Sequence, residues 1–201
     1  MNLAKRAFDI WTAAMITPFV VPMILVISLM ILIKDGRPIF HAAERMKSPT
    51  QGFRLWKFRT MRVDPGDKGV SGADKGNRIT PIGRKLRRLR FDELPQLWNL
   101  WTGDMSVVGP RPPLREYVER FPDIYAQVLR NRPGLTGLGS IYFSKHEAWL
   151  LGRSTSSDDT DAIYCRACVP RKAQIDMMYQ RHQSFCFDLE IVRRTLFPSA
   201  R

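Results

Sequence analysis

The sequence predicts an α/β fold, mostly helical, in which an N-terminal re-entrant membrane helix-break-helix is joined to a compact body carrying amphipathic interfacial helices. Three observations lead there. Ile10 to Ile33 contains no charged residue yet holds Pro18 and Pro22. Beyond Pro38, short apolar and aromatic stretches alternate with segments of helical period, the mixture expected of a layered α/β unit. A length of 201 residues suits one compact domain with an appendage, and two full domains are not expected. The expected division is residues 1–37 as a membrane hairpin with basic flanks and residues 38–201 as a cytoplasmic domain.

The apolar run comes first. It contains thirteen Leu, Ile, Val and Phe residues, which at ~0.3–0.6 kcal/mol each favour the bilayer by roughly 4–8 kcal/mol. A soluble core helix is rarely apolar on every face. As a secretory signal the run is overlong, contains two prolines and lacks a small-residue cleavage site. A straight helix of this length would reach ~36 Å and could cross a hydrocarbon core of ~30 Å. Against a crossing stand the two prolines, each of which removes a backbone donor and crowds the preceding turn. Thr17 could satisfy a freed carbonyl, and the arm before Pro18 is too short to cross alone. Lys5 and Arg6 precede the run and Lys34 and Arg37 follow it, as expected if both ends face the cytoplasm. The residues alone leave a span open and favour a re-entrant hairpin.

Pro38 to Met61 holds PIFHAAERM and GFRLWKFRTM, which suit a strand pair. Asp64 to Asn77 is rich in glycine and acid without periodicity and reads as a mobile loop, a solvated linker or a substrate lid. Thr80 to Trp101 is helical in pattern until Pro95. There the order Asp92, Glu93, Leu94, Pro95 resembles a fresh helix start with Asp92 as its N-cap. Gly103 to Pro113 is a proline-rich turn around Arg111, and Leu114 to Arg130 is helical with a kink near Pro122. Arg132 to Gly139 is a glycine-rich turn, neither a Walker loop nor a dinucleotide fingerprint. Ile163 to Gln180 and Phe185 to Phe197 close the chain as helices.

The net charge of +13, from 32 Lys and Arg against 19 Asp and Glu, points to a polyanionic partner: nucleic acid, anionic lipid or phosphorylated substrates. The three cysteines, Cys165, Cys168 and Cys186, suit a reducing compartment. Cys165-x-x-Cys168 lacks the second ligand pair of a zinc site.

The most informative stretch is RKLRRLRFDELPQLWNLW, Arg84 to Trp101, where a cationic run meets two adjacent carboxylates and interfacial tryptophans. Cations beside paired carboxylates suit phosphoryl chemistry. They hold an anionic substrate while a carboxylate attacks phosphorus or anchors a divalent ion. A helix N-terminus would add anion-stabilising amides around Asp92, with Arg87 and Arg88 one turn upstream. Simple capping by Asp92 explains the pattern equally well. Arg111, stiffened by Pro110 and Pro112, is suited to bidentate phosphate binding, though a surface arginine in a turn would look the same. A nucleic-acid partner accounts for the charge but not for Asp92 and Glu93, which would repel a phosphate backbone. No nucleic acid is expected.

Five motifs in order carry a resemblance: the basic apolar N-terminus with Thr17-Pro18, KFRTM at Lys57 to Met61, FDELPQLWN at Phe91 to Asn99, GDMSVVGPRP at Gly103 to Pro112 and RPGLTG at Arg132 to Gly137. Together they resemble the bacterial sugar transferase family, the monotopic phosphoglycosyl transferases, from about Ala4 to Phe197. The resemblance implies transfer of a sugar 1-phosphate from a UDP-sugar to polyprenyl phosphate, usually undecaprenyl phosphate, with release of UMP, Mg2+ as cofactor and ping-pong kinetics. It implies a bacterial inner-membrane enzyme whose catalytic domain faces the cytoplasm against an anionic leaflet, in the first membrane step of glycan synthesis. It maps the nucleophile onto Asp92 and metal binding or proton transfer onto Glu93, so both are candidate Mg2+ ligands. Arg87 and Arg111 match phosphate-binding positions, with Arg88 and Arg132 as weaker candidates and Lys57 and Arg59 as electrostatic support. Thr17 stands where the family often has serine, which strengthens the re-entrant reading. After Gly137 the chain departs from the family pattern, and Gly152 to Pro170 is expected to help select the sugar. Asp176 matches an acidic position of the family, with packing and catalysis both open. The sugar, the pathway and a homodimer are left open.

Overall fold

A computed structural model describes residues 3–62 and 78–197. The loop expected at Asp64 to Asn77 lies outside the described residues.

Helix α1 (Leu3–Lys34) runs continuously through Pro18 and Pro22. The two arms expected on either side of a break are therefore one helix. Spaced four apart, both prolines fall on the same exposed face, so the lost donors and the crowding are confined to one side of the cylinder. The Thr17 hydroxyl donates to the carbonyl of Ala13 at 2.6 Å, next to the Ala14 carbonyl that Pro18 deprives of a donor. What divides the helix is its packing. Ala13, with Phe8, Ile16 and Val20, joins a core that includes Leu97, Leu100, Val108 and Ile191. Ile27 and Ile31 join another with Phe58, Ile82 and Leu86. Phe19 and Ile33 remain 74% and 73% exposed, so a strongly apolar face is turned away from the body.

Both ends of α1 are tied to that body. Arg6 donates to the carbonyls of Leu100 and Trp101 at 2.9 and 2.8 Å, and Lys5 pairs with Asp188 at 2.7 Å. Asp9 is fully buried and accepts from Ser106 Oγ and the Val107 amide, each at 2.9 Å. At the other end Gly36 takes φ +70, the left-handed conformation that closes a helix without a Cβ penalty. Arg59 then caps the terminus by donating to the carbonyls of Asp35 and Gly36 at 2.7 and 2.8 Å.

The expected strand pair is an antiparallel hairpin of β1 (Phe40–Met46) and β2 (Gly52–Phe58), in register from Phe40 opposite Phe58 to Met46 opposite Gly52. Helix α2 (Pro81–Leu89) starts with Thr80 accepting from the Gly83 amide and proline at its first position. Gly83 lies so close to β2's exit that an added Cβ would sit 2.1 Å from the Thr60 carbonyl oxygen. A 3-10 helix, Phe91–Gln96, then leads into α3 (Leu97–Thr102).

The turns on either side of the kinked pair α4 (Arg115–Arg120) and α5 (Pro122–Val128) hold β3 (Ser106–Val108) and β4 (Gly134–Thr136), which pair in parallel. Neither turn carries a strand pattern in the sequence. Three-residue strands buried on both faces and bounded by Gly and Pro offer no alternation to detect. The remainder is helical: α6 (Leu138–Tyr142), α7 (Ser144–Leu151), α8 (Ser157–Ile163), a π-helical turn (Tyr164–Cys168), α9 (Val169–His182) and α10 (Phe185–Leu196).

Candidate active site

Asp92 and Glu93 occupy the first turn of the 3-10 helix. The position ahead of that helix is held by Arg90, with φ 62 and no side-chain cap, so Asp92 is not the N-cap that its neighbours suggested. The left-handed turn at Arg90 ends α2 and starts the next helix two residues earlier than a capping pattern would place it. A two-turn 3-10 helix has little macrodipole, and the surroundings of the dyad come mainly from side chains.

Asn99 fixes this segment against the hairpin. Its Oδ1 accepts from the Trp56 amide at 3.1 Å and its Nδ2 donates to the Arg54 carbonyl at 2.8 Å. The side chain thus continues β2's edge, and it is 1% exposed. Lys57, two residues along the strand from Leu55 and on the same face, then reaches Glu93 at 2.8 Å. Arg90 completes the clamp on Glu93 at 3.2 Å. Burial alone would push the Glu93 carboxyl up, but Lys57 and Arg90 outweigh it and hold it below the usual range.

Asp92 differs from its neighbour. Only 9% exposed, it accepts no side-chain hydrogen bond among the described residues. Burial raises its pKa, and the Glu93 charge adds to this, against the opposing pull of Lys57, Arg87 and Arg90. Of two adjacent carboxylates, one is therefore neutralised in place and the other is desolvated, uncommitted and faced by cations.

The expected basic residues are not all gathered here. Lys57 and Arg87 are, with Arg87 Nε donating to Thr60 Oγ1 at 2.8 Å. Arg88 is exposed on the last turn of α2 and is not among the charges acting on Asp92. Arg111 is exposed between two buried prolines and acts on Glu93. Arg59 caps α1, and Arg132 lies instead among Arg6, Asp9 and Asp104. Arg90, absent from the expected set although it stands in the same cationic run, joins the dyad because its backbone turn aims it there. Asn99 was equally unmarked; only knowledge of the adjacent strand edge would have identified it. Thr17 Oγ1 accepts from Trp101 Nε1 at 3.1 Å, tying the proline region of α1 to α3.

Among the described residues no group of three or more His, Cys, Asp and Glu could hold a metal. The dyad offers two adjacent carboxylates. That donor set fits Mg2+, which keeps several waters and binds through one or two carboxylates plus substrate phosphates. A cavity of about 370 Å3 is lined by Arg45, Arg111, Tyr164 and Lys172, among others, and the Arg111 charge acts on Glu93 as well. Asp176 lines it too, 7% exposed, its pKa pushed up to about 7 by burial against the opposing Lys172 charge and a hydrogen bond from the Gly139 amide. Within the departing segment, Thr160 and Tyr164 form part of the cavity wall, while Cys165, Cys168 and Cys186 are free thiols.

Residues 1–200 match the family model described as bacterial sugar transferase. The chain is 33% identical over 200 residues to the UDP-glucose:undecaprenyl-phosphate glucose-1-phosphate transferase of Escherichia coli (strain K12), covering 98% of this chain and 40% of that protein. It is 31% identical to the UDP-N-acetylgalactosamine-undecaprenyl-phosphate N-acetylgalactosaminephosphotransferase of Aeromonas hydrophila, covering 96% of this chain and 42% of the relative. It is 32% identical to exopolysaccharide production protein ExoY of Rhizobium meliloti (strain 1021), covering 97% and 84%. The chain thus spans about two fifths of the length of the first two relatives and most of the third. With one family model matched across nearly its whole length, the chain belongs to the bacterial sugar transferase family.

Proposed function

We propose that this protein transfers a sugar 1-phosphate from a UDP-sugar to polyprenyl phosphate, releasing UMP, with Asp92 as the nucleophile. The observation that carries the reading is the asymmetry of the dyad: Asp92 is buried and unbonded, while Glu93 is held by Lys57 and Arg90. An ionised carboxylate without hydrogen-bond partners is a better nucleophile than a solvated one, and the surrounding cations draw in the diphosphate.

In the first step an Asp92 carboxylate oxygen forms a bond to the sugar-bearing phosphorus while the bridging P–O bond breaks and UMP departs with its electron pair. In the second, a phosphate oxygen of the polyprenyl acceptor attacks the same phosphorus and the aspartyl oxygen leaves, restoring Asp92 and producing a lipid diphosphosugar. Because nucleotide leaves before lipid reacts, kinetics should be ping-pong. Lys57, Arg87 and Arg90 orient the transferring phosphate, and Arg111 faces the departing side. Glu93, with Asp92, would hold Mg2+ once donor binding relieves its pairing with Lys57. When bound, the ion neutralises charge on the diphosphate oxygens.

The same reading places α1 in the cytoplasmic leaflet of the bacterial inner membrane with both ends on one side. Its ends are tied to one body through Arg6 and Arg59, which a crossing would separate. Trp98, Trp101, Phe185 and Leu196, exposed on α3 and α10, would rest at the same interface. The excess cations dock the body on anionic lipid, each contributing ~1 kcal/mol near the surface.

UMP release from a panel of UDP-sugars tests the activity. Release is expected from at least one donor with Mg2+ present, and Asp92→Asn should lower the rate on the order of 10^3-fold or more. An Asp92→Asn protein that releases UMP at the wild-type rate rules out the nucleophile.

A further inference from the structure

One cavity is lined by a pair of guanidiniums, Arg45 and Arg111, of which the proposed reaction uses only Arg111. It is large enough for part of a small-molecule ligand, at about 370 Å3 against ~300–1,000 Å3 for typical sites. Arg45, on β1, is half-buried on its wall, and its hydrogen bond is to the backbone carbonyl of its neighbour Glu44 at 2.9 Å. The charged and titratable groups acting on it are Arg111, Tyr164 and Tyr117, with no carboxylate among them.

The carboxylates nearby are committed elsewhere. Glu44 pairs with Arg115 at 2.7 Å. Glu147, on the cavity wall, pairs with Lys172 at 2.9 Å, and burial drives Asp176 toward its neutral form. Arg45 thus faces the cavity with no carboxylate acting on it, and the one carboxylate that Arg111 is shown to act on, Glu93, is already paired with Lys57 and Arg90. Burial, and then Arg111, push the Arg45 pKa down. Such a pair is unfavourable without a ligand and is relieved by a bound anion, which it can grip with planar, fixed donors. Arg111 acts electrostatically on Glu93 as well as on Arg45, so its charge is shared between the dyad and the cavity. A diphosphate with one phosphorus at Asp92 would extend its second phosphate toward it.

We propose that Arg45 and Arg111 together hold the nucleoside-bearing phosphate of the donor and retain it as the leaving group forms. This rests on the sugar-phosphate transfer reading and adds Arg45 to its machinery. The acceptor's phosphate is the other source of such an anion. It fits less well, because none of the cavity-lining residues comes from α1, beside which a polyprenyl chain must lie.

The test is calorimetric titration of the full chain in lipid nanodiscs with UMP and with uridine, for wild type, Arg45→Gln and Arg45→Lys, beside KM values for UDP-sugar and polyprenyl phosphate. Wild type should bind UMP at least tenfold more tightly than uridine, a comparison that needs no variant. Arg45→Gln should weaken UMP at least tenfold and raise the UDP-sugar KM, leaving uridine affinity and the polyprenyl phosphate KM unchanged. Arg45→Lys, which keeps the charge in a folded hairpin, should fall between. Equal UMP affinity in wild type and Arg45→Gln, or a variant defect confined to polyprenyl phosphate, overturns the proposal while the transfer reading stands. A wild-type protein that neither binds nor releases UMP removes both.

Discussion

Asp92 and Glu93 differ by one position and have opposite electrostatic fates, because Lys57 on β2 bonds to Glu93 and acts on Asp92 through its charge alone. Residue chemistry of this kind was partly legible in the sequence: a cationic run meeting two carboxylates suits phosphoryl chemistry whatever the fold. The partition was not, since it depends on the left-handed turn at Arg90 and on which strand edge meets the dyad. Asp176 gives a separate prediction. Its pKa is about 7 in the folded protein against 3.8 ordinarily, so between roughly pH 4 and 7 the folded state keeps a proton that the unfolded state has lost. By linkage, this group's contribution to stability is greatest below its ordinary pKa and is lost as pH rises through the folded value. Thermal melting of Asp176→Asn beside wild type across this interval measures it. The wild-type midpoint should fall relative to that of the variant as pH rises, and a constant difference would contradict the assignment.

Among the elements, the hairpin, α2, the kink ahead of Pro122 and the C-terminal helices were readable from alternation, helical period and proline placement. The parallel pair β3 and β4 was not, because its strands are short, buried and flanked by turn residues. Nor was the continuity of α1, where proline rules predict interruption at each residue but not that a spacing of four would put both on one exposed face. The junction between α3 and β2 rests on Asn99, whose amide replaces a missing strand. Asn99→Ala would leave the Trp56 amide and the Arg54 carbonyl without these partners and should destabilise the protein by about 1–3 kcal/mol. The same change should slow UMP release by loosening Glu93 from Lys57. Denaturant unfolding and donor turnover check the two effects, and a variant as stable and as active as wild type would show that the edge contact does not position the dyad.

For the molecule as a whole, composition already linked an apolar segment long enough to cross a membrane to a basic body, and the structure adds that both ends of α1 are bound to that body. Single cysteines at Ala7→Cys or Arg37→Cys, with Cys165, Cys168 and Cys186 replaced by alanine, test the topology. A membrane-impermeant maleimide should label both in inside-out vesicles and neither in intact spheroplasts; one end labelled from outside would mean that the helix crosses. Under the proposed function, domain position, docking and cation placement would all serve one event, the bonding of a phosphosugar to a single carboxylate. The most direct measurement is intact and peptide mass spectrometry of the protein mixed with its UDP-sugar and Mg2+ without lipid acceptor. A sugar-phosphate adduct is expected on Asp92, and it should disappear when polyprenyl phosphate is added. UMP release only when acceptor is present, with no adduct, or an adduct on any other residue, would contradict it.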